Sequence, residues 1–184
     1  ALAKRFDPDN TRIDLYQSQI YLELNQMPAA LKSIETALKK RPNYPEALSL
    51  RSKIFVKTGR LDDALSDLTA AIKLAKYRPE RFYQLRGDIY LGMGVLDKAE
   101  HDFLFVSEKD IKNIYVVEKL IKIYIKINNK LAAQETLSKF ISIEPNNSLI
   151  EGLNVLVNEM WSFFVWKSQY GRIKSAVEEI GVTL

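Results

Sequence analysis

The stretch YLELNQMPAALKSIETALKKRP, residues 21–42, decides the fold of this chain, because three further stretches align with it without a gap. They are FVKTGRLDDALSDLTAAIKLAK (55–76), YLGMGVLDKAEHDFLFVSEKDI (90–111) and YIKINNKLAAQETLSKFISIEP (124–145). Each opens with an aromatic residue and carries an alanine nine positions later. These alanines lie 34, 35 and 34 residues apart: Ala30, Ala64, Ala99 and Ala133. A period of this length is typical of an array of stacked structural units.

Each period is predicted to hold two helices. In the first, apolar residues such as Tyr83 and Ile89 recur at helical spacing. That helix should end at a turn centred on Gly59, Gly94 or Asn128 and Asn129. In the second, the alanine lies where two helices approach closely, and an apolar residue follows four positions later: Ile34, Leu68, Phe103 or Leu137. One such pair cannot bury its apolar stripe alone, so successive pairs must stack.

These residues resemble the tetratricopeptide repeat (TPR) family. Its pattern of glycines, alanines, aromatic residues and proline is matched in Gly87, Tyr90, Gly94, Ala99 and Phe103, and in Tyr21, Ala30, Ile34, Ala37 and Pro42. The resemblance covers residues 11–147. It implies an all-α fold, a right-handed superhelical solenoid of stacked antiparallel helix pairs with C-terminal capping helices. The chain departs from the family where an early tryptophan is usual (Asp14, Leu48, Tyr83, Val117) and where Ser18 and Ser52 replace a small glycine.

The same phase divides the chain into domains. We predict TPR repeats at 11–44, 45–79, 80–113 and 114–147, and a C-terminal capping helix pair at 148–184. Pro8 precedes Pro42 by 34 residues, so residues 1–10 are expected to be the end of a truncated upstream repeat. The chain is therefore expected to be a fragment of a longer array.

Composition narrows the chemistry. The 184 residues are 47% hydrophobic and include no cysteine and one histidine, His101, which we interpret as a solvated helix residue. We therefore predict no enzyme activity, no cofactor and no metal. No apolar run approaches the roughly 18–20 residues that a membrane span needs. A cytoplasmic location is favoured, and the sequence leaves open a cleaved signal outside this stretch.

The family resemblance implies that first helices line a concave groove and that the second, fifth, ninth, twelfth and thirteenth residues of each repeat contact the partner. Carried over, these contact positions include Arg12, Gln19, Glu23, Ser49, Lys53, Lys57, Arg81, Gln84, Asp88, Tyr115, Lys122 and Lys126. Family members that hold the C-terminal carboxylates of heat-shock chaperones use a clamp of Lys, Asn and Arg. The corresponding positions here are Leu15, Gln19, Leu50, Arg81 and Leu85, which argues against a standard chaperone-tail clamp.

The net charge of +4 lies within residues 109–141, which hold seven lysines and three acidic residues. Tyr115, Lys119, Lys122 and Lys126 share one helix face there. This basic stripe is either a solvated face or a surface complementary to an acidic peptide or protein. Nucleic acid is not favoured, because the aromatic residues occupy core positions and acidic residues are interspersed in the other repeats.

Both tryptophans lie in NEMWSFFVWKSQYG, residues 158–171, beyond the last repeat. Leu149, Leu153 and Val157 are predicted to share one apolar face of a helix, with Trp161 at its edge. Trp166 points nearly the opposite way, close to Val155. Either the helix predicted at 173–180 or a partner should cover Trp166.

The resulting hypothesis is a noncatalytic scaffold or adaptor segment that holds a partner protein or peptide in its groove. One alternative is a structural subunit that assembles through its terminal helices in a homo-oligomer or a large complex. Another is a regulatory TPR module of a larger enzyme. The sequence does not identify the partner.

Overall fold

The computed structural model describes residues 10–158, and every regular element in that range is helical. In chain order the helices are α1 (Thr11–Glu23), α2 (Met27–Lys40), α3 (Pro45–Lys57), α4 (Leu61–Leu74), α5 (Glu80–Gly92), α6 (Leu96–Lys109), α7 (Ile114–Lys126) and α8 (Lys130–Ile143). Residues 150–158 are also helical. The all-helical prediction is confirmed. The predictions for residues 1–9, Trp161 and Trp166 lie outside the described residues.

A tight left-handed turn joins the two helices of each pair. The residue with positive φ is Asn25 (58°), Gly59 (77°), Gly94 (77°) or Asn128 (60°). The next residue donates its N–H to the backbone carbonyl of the aromatic residue that opens the repeated stretch, over 2.8–2.9 Å: Gln26 to Tyr21, Arg60 to Phe55, Val95 to Tyr90 and Asn129 to Tyr124. Glycine and asparagine adopt this backbone most readily, which is why they recur here. The turns predicted at Gly59, Gly94 and Asn128 are confirmed.

The two helices of each pair touch at the repeated alanine. All four of these alanines are fully buried: Ala30, Ala64, Ala99 and Ala133. In the first pair the helices are close enough for Ser18 Oγ to donate to the carbonyl of Ala30 at 2.8 Å. In the third pair a Cβ atom on Gly87 would lie 3.1 Å from the ring of Phe103. Small residues are therefore required where the helices cross.

The chain divides into two compact units, Ala1–Val106 and Ser107–Leu184. In the first unit each pair stacks on the next, since α2 contacts α3, α4 contacts α5, and α1 contacts α3. One continuous apolar core results, and it includes Leu22, Ile34, Ile54, Leu68 and Phe82. This stacking sets the first helices side by side.

Partly buried ion pairs connect the first helix of a pair to the second. Arg51 donates two hydrogen bonds to the carboxylate of Asp67, both at 2.7 Å, and Arg86 donates two to Asp102, both at 2.8 Å. The hydrogen bonds from Asp67 and Asp102 raise the pKa values of Arg51 and Arg86, so both guanidinium groups stay charged. These pairs were not predicted from the sequence.

In the second unit, α7 packs against α8. Leu153 and Val157 of the helical residues 150–158 are buried, as expected. Leu149 is 53% exposed, so it is less covered than Leu153 and Val157. Its carbonyl accepts a hydrogen bond from the Leu153 N–H at 3.0 Å, at the start of this helix. Val155 is 45% exposed among the described residues.

Candidate binding groove

The first unit has a solvent-open groove along its first helices α1, α3 and α5. It consists of two cavities of about 450 and 370 Å³. Both cavities are lined by Leu22, Glu23, Lys53 and Leu85, so they are parts of one groove. We call it the α1–α3–α5 groove.

The floor of the groove is apolar. In the larger cavity it is formed by Leu15, Leu22, Leu50, Phe82 and Leu85. In the smaller cavity the apolar lining is Leu22, Val56, Leu68, Leu85 and Ile89. These side chains converge because residues three and four apart share one face of a helix, and stacking turns the same face of each first helix to the groove.

Most of the predicted contact residues in the first unit line this groove. They are Gln19, Glu23, Ser49, Lys53, Lys57, Arg81, Gln84 and Asp88. Ser49 is only 8% exposed, so it contributes to the floor more than to the rim. Arg12 is exposed on α1 and lines neither cavity. Trp166 lies outside the described residues.

Several lining residues were missing from the predicted contact set, and two of them, Phe82 and Leu68, belong to the buried core. Phe82 is 1% exposed and Leu68 is fully buried, yet both reach a cavity wall. Leu68 belongs to α4, a second helix, and so lies outside the pattern of first-helix contacts. Sequence spacing alone gives no signal that a core side chain also forms the bottom of a cavity.

The rim of the groove carries balanced charge. Arg81 forms an ion pair with Glu46, and its guanidinium carbon lies 4.5 Å from the centre of the Phe82 ring. Within residues 10–158, Glu23, Lys53 and Lys57 form no ion pair. These three charges are therefore available to a ligand.

The predicted basic stripe lies on α7, in the second unit. Lys122 forms an ion pair with Glu118 one helical turn away, and Lys119 Nζ lies 4.8 Å from the centre of the Tyr115 ring. Lys126 is exposed. Part of the positive charge of the stripe is thus already matched within the helix.

Other chemistry is limited over the described range. His101 has a side chain that is 75% exposed, with Nδ1 3.4 Å from Asp102 Oδ1, in agreement with a solvated helix histidine. Residues 10–158 contain no cluster of three or more His, Cys, Asp or Glu side chains that could hold a metal ion. No helix in that range is long and apolar enough to cross a membrane.

The family profile of the tetratricopeptide repeat matches residues 16–79. No curated protein matches the sequence significantly.

Solved structures share the fold at low sequence identity. A tetratricopeptide repeat protein from Parabacteroides merdae is 16% identical, with a TM-score of 0.74 over 93% of this chain and 67% of that protein. The MamA protein is 18% identical, with a TM-score of 0.65 over 95% of this chain and 97% of MamA. The first TPR domain of Spaghetti (RPAP3), bound to the HSP90 peptide SRMEEVD, is 20% identical, with a TM-score of 0.60 over 66% of this chain and 96% of that domain. At these identities the likeness shows the fold alone.

Proposed function

We propose that this chain is a noncatalytic scaffold that binds an extended segment of a partner protein in the α1–α3–α5 groove. The proposal is supported by the match of residues 16–79 to the tetratricopeptide repeat profile and by the fold shared with solved structures of that family. The fold is typical of protein-interaction scaffolds rather than of enzymes. One structure of this fold, the first TPR domain of Spaghetti (RPAP3), is bound to an HSP90 peptide.

The observation that carries the proposal is the continuity of the groove. Its two cavities share four lining residues, and an apolar floor lies beneath a charged rim. Ligand sites usually combine apolar walls with a few well-placed polar groups. A peptide side chain buried on such a floor gains about 1.5–3 kcal/mol from removal of apolar surface from water.

The groove lies among packed helices rather than loops, which supports tight binding of a flexible segment. The core beneath it includes fully buried side chains such as Ile34 and Leu68. A largely preformed surface lowers the entropy cost of association, so the cost of ordering falls mainly on the peptide.

The test is selection from a displayed library of random short peptides on the immobilised chain. Gln19 is exposed on the rim and lines the larger cavity, so Gln19→Trp should fill the cavity mouth without disturbing the core. Lys32→Trp, at an exposed position of α2, is the matched control. We expect the selected peptides to bind the wild type and Lys32→Trp equally and to lose affinity for Gln19→Trp. Equal binding to all three proteins would refute the groove as the binding site.

A second candidate function is assembly with another copy of the chain through α1. Tyr16 and Ile20 of α1, and Leu24 just after its end, are four residues apart and are 60%, 57% and 60% exposed. Ile54 and Ile89 take the place of Ile20 in the next two repeats and are 1% and 8% exposed. The helices that carry Ile54 and Ile89 follow another helix pair, whereas no helix pair precedes α1 within residues 10–158. This difference explains why Ile20 is exposed and the other two are not.

Sedimentation equilibrium separates this candidate from the scaffold function. If α1 mediates self-assembly, the average mass should rise with concentration for the wild type and stay at the monomer value for Ile20→Lys. A monomer at every concentration would exclude assembly through α1 and leave the groove proposal unaffected.

A further inference from the structure

We propose that the first unit binds the surface of a membrane containing anionic lipids, through a patch of basic residues on the loops between its helix pairs. This surface is independent of the proposed groove function. We call it the basic loop patch, and it is formed by residues at and beyond the ends of α2 and α4: Lys39, Lys40, Arg41, Lys73, Lys76, Tyr77 and Arg78. None of them lines a cavity of the α1–α3–α5 groove.

Stacking brings the two loops of the patch to one end of the first unit. A tight turn reverses the chain within each pair, and the pairs stack in sequence, with α1 in contact with α3 and α4 in contact with α5. The turns at Asn25, Gly59 and Gly94 therefore lie at one end of the unit, and the loops that follow α2 and α4 lie at the other. Neighbouring packed helices are about 8–10 Å apart, so the cations of both loops can reach the same anionic surface.

The patch carries a high density of unmatched positive charge. It contains six cations and no carboxylate, and all six residues are exposed. Lys40 forms an ion pair with Asp14 at 2.9 Å, whereas the other five cations form no ion pair within residues 10–158. Five positive charges are thus open to an anionic surface.

Nearby carboxylates do not neutralise the patch. The first helices of the unit begin beside it, and each has one acidic residue in its first turn: Asp14, Glu46 and Glu80. Asp14 is already paired with Lys40, and Glu46 with Arg81. Over the described range, Glu80 is thus the one unpaired carboxylate of these first turns, against five unpaired cations.

The ends of the helices account for only part of this charge. Lys39, Lys40 and Lys73 lie in last helical turns, where cations complement the helix dipole. Lys76 and Arg78 lie beyond the end of α4, and the effect of the dipole falls off within the last turn. These two cations therefore need an explanation other than helix stability.

The backbone at Arg78 points to a role outside the fold. Its φ is +49°, and every other residue with positive φ in the described range is a glycine or an asparagine. A side chain such as arginine adopts this backbone at a cost in stability. Residues held in such conformations are concentrated at functional sites. A cation at this position thus fits a binding role better than a structural one.

An exposed aromatic ring lies between two of the cations. Tyr77 is 83% exposed, more than any other large hydrophobic side chain in the described range, and its neighbours are Lys76 and Arg78. Tyrosine favours the interface between membrane and water, and basic residues are attracted to anionic headgroups. Single-stranded nucleic acid would need several exposed rings for successive bases, but Tyr44, on the other loop, is 8% exposed. A lipid surface therefore fits the patch better.

The experiment measures co-sedimentation of the chain with two kinds of vesicle, phosphatidylcholine alone and phosphatidylcholine with phosphatidylserine in a ratio of about 7:3. The test variant is Lys76→Gln/Arg78→Asn, which removes two charges and places at position 78 a residue that tolerates positive φ. The matched control is Lys32→Gln/Lys98→Gln, which removes two charges at exposed positions of α2 and α6.

We expect the wild type to bind the anionic vesicles and not the neutral ones, and binding should weaken as salt is raised. Each cation near an anionic membrane strengthens binding about fivefold, so the test variant should bind on the order of 25-fold more weakly and the control nearly as the wild type. Thermal unfolding should show the test variant to be at least as stable as the wild type, because Arg78→Asn relieves the backbone.

A second variant tests the ring without changing the charge. Tyr77→Ser should weaken binding severalfold, whereas Leu131→Ser, at a side chain that is 67% exposed on α8, should not. Equal binding by Tyr77→Ser and the wild type would overturn the proposal, because the ring is part of the patch.

Three further results would also overturn it. They are a wild type that ignores the anionic vesicles, a wild type that binds both kinds of vesicle equally, and a test variant that binds as tightly as the wild type. A chain that ignores vesicles but retains a single-stranded oligonucleotide through the same cations would assign the patch to nucleic acid instead. None of these results bears on the groove, which is tested separately with peptides.

Discussion

Replacing Gly87 by serine is expected to destabilise the first unit. A Cβ atom at Gly87 would lie 3.1 Å from Cε1 and Cζ of Phe103 and 3.3 Å from Cβ of Asp102. Carbon atoms prefer about 3.5–4.0 Å, and Phe103 is fully buried and cannot easily move away. Overpacking of this kind costs about 1–3 kcal/mol, whereas serine gains about 0.5 kcal/mol over glycine in helix propensity. The net loss should be roughly 1–2 kcal/mol.

The other repeats show how the loss can be relieved. Ser18 is fully buried and Ser52 is 1% exposed at the position of Gly87, and the residues facing them in sequence phase are Ile34 and Leu68 rather than phenylalanine. Where serine replaces glycine on the first helix, a side chain smaller than phenylalanine faces it on the second helix. Phe103→Leu alone should cost about 1–2 kcal/mol. In the Gly87→Ser/Phe103→Leu double variant, the serine should add little further cost, giving a coupling energy of about 1–2 kcal/mol.

Urea unfolding followed by far-ultraviolet circular dichroism measures all four proteins. With an m-value near 2 kcal/mol/M, Gly87→Ser should lower the midpoint by about 0.5–1 M. The reasoning is refuted if Gly87→Ser is neutral or stabilising. It is also refuted if the two losses add within about 0.5 kcal/mol in the double variant, as independent sites do.

Two further stability predictions each concern a single position. Arg86→Ala removes the bidentate partner of the Asp102 carboxylate, which is 1% exposed, and should lower the free energy of unfolding in urea by about 3 kcal/mol. His101→Ala, at a side chain that is 75% exposed, is the control and should change it by no more than about 0.5 kcal/mol. Equal effects would contradict a structural role for the ion pair. Gly59→Ala should cost about 1–2 kcal/mol, because φ is +77° although the Cβ would meet nothing within 4 Å. Gly92→Ala, equally unhindered but helical, should be neutral or slightly stabilising in thermal unfolding, and the same sign at both sites would contradict this account.

The fold could be predicted from the sequence because its determinants are local and repeated. The turn residues Gly59 and Asn128 and the buried alanines recur at the repeat period, and each repeat reinforces the same conclusion. Asn25, with φ of 58°, forms the same turn, and its position 34 residues before Gly59 would have identified it.

The polar contacts could not be predicted in the same way. Arg51 and Asp67 lie on different helices, and nothing in their spacing distinguishes them from solvated charges until the helices are packed. Arg81 and Glu46 form an ion pair between neighbouring repeats. Such pairs depend on the distance between helices, which cannot be read from the period of the sequence.

The lining of the groove was predicted in part. Eight of the predicted partner-binding residues lie in this lining, because the face of each first helix follows from its phase. The α7 lysines were singled out because of the net charge of their segment. Net charge does not show how many of these lysines already form ion pairs within the helix. The spacing of Glu118 and Lys122, one turn apart, was a signal that this charge would be paired within the helix.

The most direct test of the central claim is an amide NMR titration of the isotope-labelled chain with a peptide selected from the library. If the α1–α3–α5 groove is the binding surface, the largest shifts should map to its lining, including Gln19, Lys53 and Gln84. Exposed residues of the second helices, such as Lys32 and Lys73, should change little. Shifts confined to α2 and α4, with the lining of the groove unchanged, would contradict the account.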